Sequence, residues 1–158
     1  MKLSELIIPD AIVPELRSVQ RDDAIGELID SIVAAGAVDA ALRDDLIRLI
    51  LDRENKGSTG FGKGVAVPHV KHEQIDGMVA TIGVSRQGVD FNALDKAPVY
   101  SIVLLLSSQE KPDEHLQAME NIFSHLQKDT FRRFLRQSST VDEIKDLMHE
   151  ADTEQLQS

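Results

Sequence analysis

Cysteine and tryptophan are both missing from this 158-residue chain, and each absence closes a route. Without cysteine there is no disulfide, no thiolate nucleophile and no cysteine-based metal site, which leaves histidine, carboxylate and hydroxyl chemistry. Without tryptophan, and with aromatic residues at 4%, stacking platforms for single-stranded nucleic acid or for sugar rings are scarce. Positive charge is short as well: 17 Lys and Arg stand against 27 Asp and Glu, a formal net charge of −10. That balance repels nucleic-acid phosphates and anionic lipid, so neither a nucleic-acid partner nor membrane insertion is expected. No apolar run approaches bilayer length, and Met1 to Glu15 lacks the segments of a secretory signal, which predicts a cytoplasmic protein. What remains is 42% hydrophobic residues, sufficient for one domain with a real core. The expectation is a domain over residues 1–150 and a frayed tail over 151–158.

Periodicity then orders the chain. Ile25, Leu28, Ile29, Ile32 and Val33 keep helical spacing between Ala24 and Ala35, with Asp22 and Asp23 at the positive end of the dipole and Gly36 as the stop. Asp39 can cap a second helix whose stripe is Leu42, Leu46, Leu49 and Ile50, with Arg53 in its last turn. Val65-Ala66-Val67 reads as a short strand ending at Pro68-His69, and Met78 to Ser85 as another. Val99 to Leu106 is almost continuously apolar and predicts the central strand, buried on both faces. Pro112 to Leu126 reads as a helix with Leu116, Met119, Ile122, Phe123 and Leu126 inward, followed by a short helix over Thr130 to Arg136. Thr140 with Glu143 makes a capping box for a last helix. The fold class predicted is α/β, a single domain with a mixed β-sheet flanked by helices.

Four glycines, Gly57, Gly60, Gly62 and Gly64, fall within eight residues, too many for any regular element. They free the backbone N–H groups to form an anion-binding nest, to which Ser58 and Thr59 can add hydroxyl donors. His69 stands beside that loop; its neutral imidazole has a lone pair able to attack phosphorus, giving a phosphohistidine. The product brings about two negative charges, and Arg53 is the sequence candidate for clamping them. His115, at the start of the helix after Lys111-Pro112-Asp113-Glu114, is either a solvent-facing helix-start residue or a second imidazole against the same phosphate. His72, His125 and His149 read as surface or packing residues. Arg132, Arg133 and Arg136 read most simply as a solvated helix face. A metal site from His69, His72 and His115 is the weaker alternative, because His-x-x-His here lies on no helix, and no tight zinc binding is expected.

The run from Arg53 to His69, Arg-Glu-Asn-Lys-Gly-Ser-Thr-Gly-Phe-Gly-Lys-Gly-Val-Ala-Val-Pro-His, resembles the phosphorylation-site signature of enzyme IIA domains of the fructose/mannitol type. These belong to the bacterial phosphoenolpyruvate-dependent phosphotransferase system, and the nitrogen-regulatory branch is the nearest look-alike. Phe91-Asn92-Ala93-Leu94-Asp95 before Pro98, the apolar strand after it, and Glu114-His115-Leu116 are similar to family features too. The resemblance implies that His69 is the phosphorylated residue and that Arg53 and His115 line its site, with no cofactor. It implies a phosphorylated histidine phosphocarrier protein as donor, and a cysteine of a IIB domain, or a regulated target protein, as acceptor or binder. In a free-standing domain, regulation is favoured over sugar transport. One departure is Val70, where the family commonly has a small residue; a β-branched side chain there would stiffen the backbone and could crowd a docking surface.

Overall fold

A computed structural model describes residues 1–153. Along the chain it places α1 (Leu3–Leu6), α2 (Arg21–Ala34), α3 (Arg43–Lys56), β1 (Val65–Ala66), β2 (His69–His72), β3 (Met78–Val89), β4 (Val99–Ser108), α4 (Pro112–Leu126), α5 (Asp129–Gln137) and α6 (Val141–Asp152). β4 is the axis of the sheet. On one edge it pairs in parallel with β1 and β2, and on the other antiparallel with β3. The sheet is therefore mixed, as expected.

Strand alternation divides the core into two. Ile102, Leu104 and Leu106 of β4 join the cluster under α2 and α3, while Val103 and Leu105 join the cluster formed with α1, α4, α5 and α6. All five are essentially solvent-free. This is why β4 reads as a continuous apolar run: helices cover both of its faces. Ile25, Leu28, Ile29 and Ile32 of α2 are fully buried in the first cluster, as their spacing predicts. In α3, Leu46 and Ile50 are fully buried, but Ile47 and Leu51 support them rather than Leu49. Asp39 caps the single 3₁₀ turn that leads into α3, accepting from the Ala41 amide at 2.9 Å.

Three departures from the sequence reading bear on the site. The strand at Val65 does not end at His69: it leaves β4 at Val67-Pro68 and resumes as β2, so His69 opens a strand instead of closing one. The first twenty residues, in which periodicity marks nothing, run beside β3 and meet it at single parallel rungs, Ile7 to Ala80 and Val13 to Gly83, with a third from Gln20 to Asp90 just past its end. In α4 the inward stripe is His115, Ala118, Met119, Ile122 and Leu126, and Leu116 is 59% exposed. Both stripes have helical spacing and share Met119, Ile122 and Leu126; in the first turn an imidazole takes the place assigned to a leucine.

The last helix, α6, runs to Asp152, two residues into the segment expected to be a tail. Ala151 is buried, and Asp152 reaches back to the chain start, its carboxylate accepting from the Leu3 amide at 2.7 Å and from the Ser4 amide and hydroxyl. Lys2, at the N-cap of α1, supplies no side-chain cap, so Asp152 serves in that role from the far end of the sequence. The rest of the predicted tail, residues 154–158, lies outside the described residues. Asp152→Ala should cost about 1 to 2 kcal/mol of unfolding free energy by loss of this charge-assisted cap. Urea denaturation checks it, and an unchanged midpoint would show that the contact carries no stability.

Candidate functional site

The break between β1 and β2 builds the site. Pro68 has no N–H to offer the ladder, yet its carbonyl still accepts from Leu105 at 3.0 Å, which holds the strand to β4. The Val67 carbonyl makes no such rung and turns to the imidazole two residues on: His69 Nδ1–H donates to it at 2.8 Å. With Nδ1 protonated and engaged, Nε2 of His69 carries the free lone pair. The ring is half-buried at the wall of a depression of about 790 Å³ lined by Arg53, Ser58, Thr59, His115 and, around the rim, Phe61, Leu116, Met119 and Phe123.

His115 enters from the first turn of α4, its ring 5.6 Å from that of His69, centre to centre. It is buried, and its Nδ1 is bonded to the hydroxyl of Ser107 on β4. That leaves Nε2 without a protein partner among the described residues. The solvent-facing alternative for His115 is thereby set aside. Burial pushes the His115 imidazolium down to about 4, with the nearby His69 and Lys71 charges acting in the same sense. Burial likewise lowers His69; the Val67 carbonyl opposes this and the Arg53 guanidinium reinforces it. Both shifts favour the neutral imidazole, the form able to act as nucleophile or hydrogen-bond acceptor.

Arg53, in the last turn of α3, is exposed and donates from Nη1 to the Gly57 carbonyl at 2.7 Å, which ties the guanidinium to the start of the loop. Glu54, the next residue, is buried, and its carboxylate accepts the Thr59 amide at 3.1 and 3.3 Å. Thr59 in turn accepts from the Val67 amide at 3.3 Å, stitching the loop to the strand break. Its hydroxyl is buried at the pocket and has no hydrogen-bond partner among the described residues. A buried hydroxyl left unpaired is costly, and Thr59 lines the same pocket as His69.

The glycines divide differently from the nest reading. Of the loop, Ser58, Thr59 and Phe61 line the pocket, whereas Gly57, Gly60, Gly62 and Gly64 are not among its walls. The Gly60 amide is taken by the Ser58 hydroxyl, and what approaches Gly60 closely is Ala93 of this same chain, 3.0 Å from where a Cβ would stand. Gly62 and Gly64 occupy positive φ of 113° and 76°, which favours glycine in the turn back into β1. From this loop it is Ser58, Thr59 and Phe61, not the glycines, that line the pocket.

The remaining histidines stand apart. His72 is buried on the α3 side, with Nε2 donating to Asp45 at 2.8 Å and Nδ1 accepting from the Gln74 amide at 3.0 Å. This bond and Arg48 hold the Asp45 carboxyl below its usual range. A ligand set of His69, His72 and His115 is not brought together. His125 packs on Phe131, and His149 is exposed. Val70 packs into the α2/α3 cluster, on the opposite side of β2 from the pocket, so it does not crowd the mouth. Sequence reasoning missed Glu54 and Ser107. For Glu54 a signal existed in its place at a helix end before a glycine loop; for Ser107 the only hint was a polar residue closing an apolar strand.

Comparison with known proteins gives this geometry a context. Over 146 residues the chain is 29% identical to a nitrogen regulatory protein of Bradyrhizobium diazoefficiens, covering 91% of this chain and 92% of that one. Over 152 residues it is 28% identical to the fructose-specific EIIABC component of Bacillus subtilis, covering 96% of this chain but only 24% of that longer protein. The fold matches the crystal structure of nitrogen regulatory protein IIA-Ntr from Neisseria meningitidis with a TM-score of 0.83 at 24% identity, covering 92% and 98% of the two chains. Among the described residues no helix is long and apolar enough to cross a membrane. The family described as phosphoenolpyruvate-dependent sugar phosphotransferase system, EIIA 2, matches residues 5–151, and the chain belongs to that family.

Proposed function

We propose that this protein is a cytoplasmic phosphocarrier that accepts a phosphoryl group on Nε2 of His69 from a phosphorylated histidine phosphocarrier protein. It would pass the group to a IIB domain, or use it to set its binding to a regulated target. The observation that carries the reading is the Nδ1–H bond from His69 to the Val67 carbonyl, which leaves Nε2 unprotonated in a pocket with Arg53, Thr59 and His115. In the transfer the Nε2 lone pair attacks phosphorus in line as the donor's P–N bond breaks, and the donor imidazole departs with that electron pair. No proton need leave His69, because its Nδ1–H stays on the Val67 carbonyl. Arg53 supplies fixed positive charge, while the Thr59 hydroxyl gains an acceptor when a phosphoryl oxygen arrives. The rim of Phe61, Leu116, Met119 and Phe123 offers an apolar seat around the reacting atom, suited to docking another protein's surface.

That apolar lining, with Leu116 exposed at its edge, also favours a second reading, in which the protein acts as a regulatory binding module with little onward transfer. The −10 net charge gains about two more charges on phosphorylation, enough to alter partner choice at an apolar rim. The likeness to a nitrogen regulatory protein along nearly the whole of both chains is in keeping with this regulatory reading.

Intact-mass measurement at alkaline pH after incubation with phosphoenolpyruvate and the general phosphocarriers should give one acid-labile phosphoryl group. His69→Ala should abolish it with the fold retained, and a labelled His69→Ala protein would remove His69 from the role. Arg53→Ala should still label, about tenfold more slowly or with a shorter-lived adduct; unchanged kinetics would exclude Arg53. The lowered His115 pKa predicts a pH effect of definite sign. Between about pH 6.5 and 4 the unfolded chain binds protons that the folded chain resists, so this contribution to stability is present above 6.5 and is lost as pH falls through 4. A proton NMR titration of the imidazoles checks it: His115 titrating near 6.5 would contradict the buried site.

A further inference from the structure

We propose a second anion-binding site, for a small phosphorylated solute, in the basic pocket between the end of the glycine loop and α5. The pocket holds about 490 Å³, and Lys63, Tyr100, Ser101, Arg132, Arg133 and Arg136 line it. That volume is in the range of small-molecule sites. Four cationic side chains thus converge from two separate parts of the sequence, in a chain whose net charge is −10. Gathering like charges costs free energy unless something negative offsets it. Little in the protein does so. The rim carboxylate Asp129 is engaged by Arg132 Nη2 at 3.3 Å, and among the described residues Lys63, Arg133 and Arg136 form no ion pair.

Two of the cations are also held in place. The Arg136 guanidinium lies over the ring of Tyr100, 3.5 Å from its centre, which fixes its plane and leaves its N–H edge for bidentate contact with a phosphoryl group. Arg132 is anchored by Nη1 to the Leu126 carbonyl at 2.8 Å. Lys63 sits in the left-handed region at φ 62°, between two glycines that also have positive φ, and its amide donates to the Asp95 carboxylate at 3.3 Å. A lysine is disfavoured in that conformation, and here it lines this pocket. Two guanidinium groups fixed before a ligand arrives reduce the ordering cost of binding. The site is distinct from the histidine pocket: the two share the loop but no lining residue. A solvated helix face, as the sequence alone implies, accounts for none of this convergence with Lys63 and Tyr100.

The test is calorimetric titration of the whole protein with pyrophosphate, in about 150 mM salt so that non-specific attraction is screened. One saturable site is expected. Arg133→Gln/Arg136→Gln should weaken it at least about tenfold and Lys63→Gln by about fivefold, while Arg53→Ala/His69→Ala leaves it within about twofold. Phosphorylation of His69 in the arginine variant verifies its fold, and the exposed Lys63 provides an independent variant should that one fail to fold. No saturable binding in the wild type would overturn the proposal. So would loss of binding in the Arg53/His69 variant with retention in the arginine variant, because the probe would then occupy the histidine pocket.

Discussion

The site depends on one interrupted rung. Had the strand from Val65 run without a break along β4, the Val67 carbonyl would belong to the ladder, and His69 would have no backbone acceptor two residues upstream. Proline enforces the interruption, since it cannot donate, while its own carbonyl keeps the strand attached at Leu105. One residue thus frees an acceptor and holds the register. The freed acceptor then chooses the tautomer, and the tautomer decides which nitrogen can react. The Val67 amide is used in the same economy: it donates to the Thr59 carbonyl and fastens the loop beside the imidazole.

Around that break the protein supplies rigidity from both sides. β4 is covered by α2 and α3 on one face and by α1, α4, α5 and α6 on the other. The imidazoles therefore stand on a strand and a helix that pack against the same central strand, and Ser107 of β4 holds one of them directly. Arg53 and Glu54, adjacent on α3, have opposite tasks at the loop: the exposed guanidinium grips its first carbonyl and the buried carboxylate grips an amide further on. A helix end thereby sets the path of a segment too rich in glycine to set its own.

Much of the fold was legible because periodicity and burial agree. The stripe of α2, the both-sides-buried run of β4 and the Thr140 cap of α6, which accepts from the Glu143 amide at 3.1 Å, follow from local chemistry. The chain's first twenty residues were not, because single rungs to β3 impose no alternation on a sequence. The phase of α4 was hidden by a competing apolar pattern: Leu116 fits the helical period as well as His115 does, and only the three-dimensional position of the pocket decides which turns inward. His69, Arg53 and the loop stood out through clustering, yet the purpose of the glycines did not. Their spacing reads as room for a ligand, and much of that room is filled by Ala93, Asp95 and Tyr100 of the same chain.

The contact between Asp152 and the first turn spans 149 positions of sequence, and it has a consequence for synthesis. The opening helix is four residues long, too short to persist in water by itself, and its cap is synthesised 149 residues after the amide it holds. Until then one face of the sheet has no α6 to complete its cover, although the α2/α3 face has every segment it needs. The order of translation thus assigns the two halves of the core different birthdays, with the pocket's α4 side closing last.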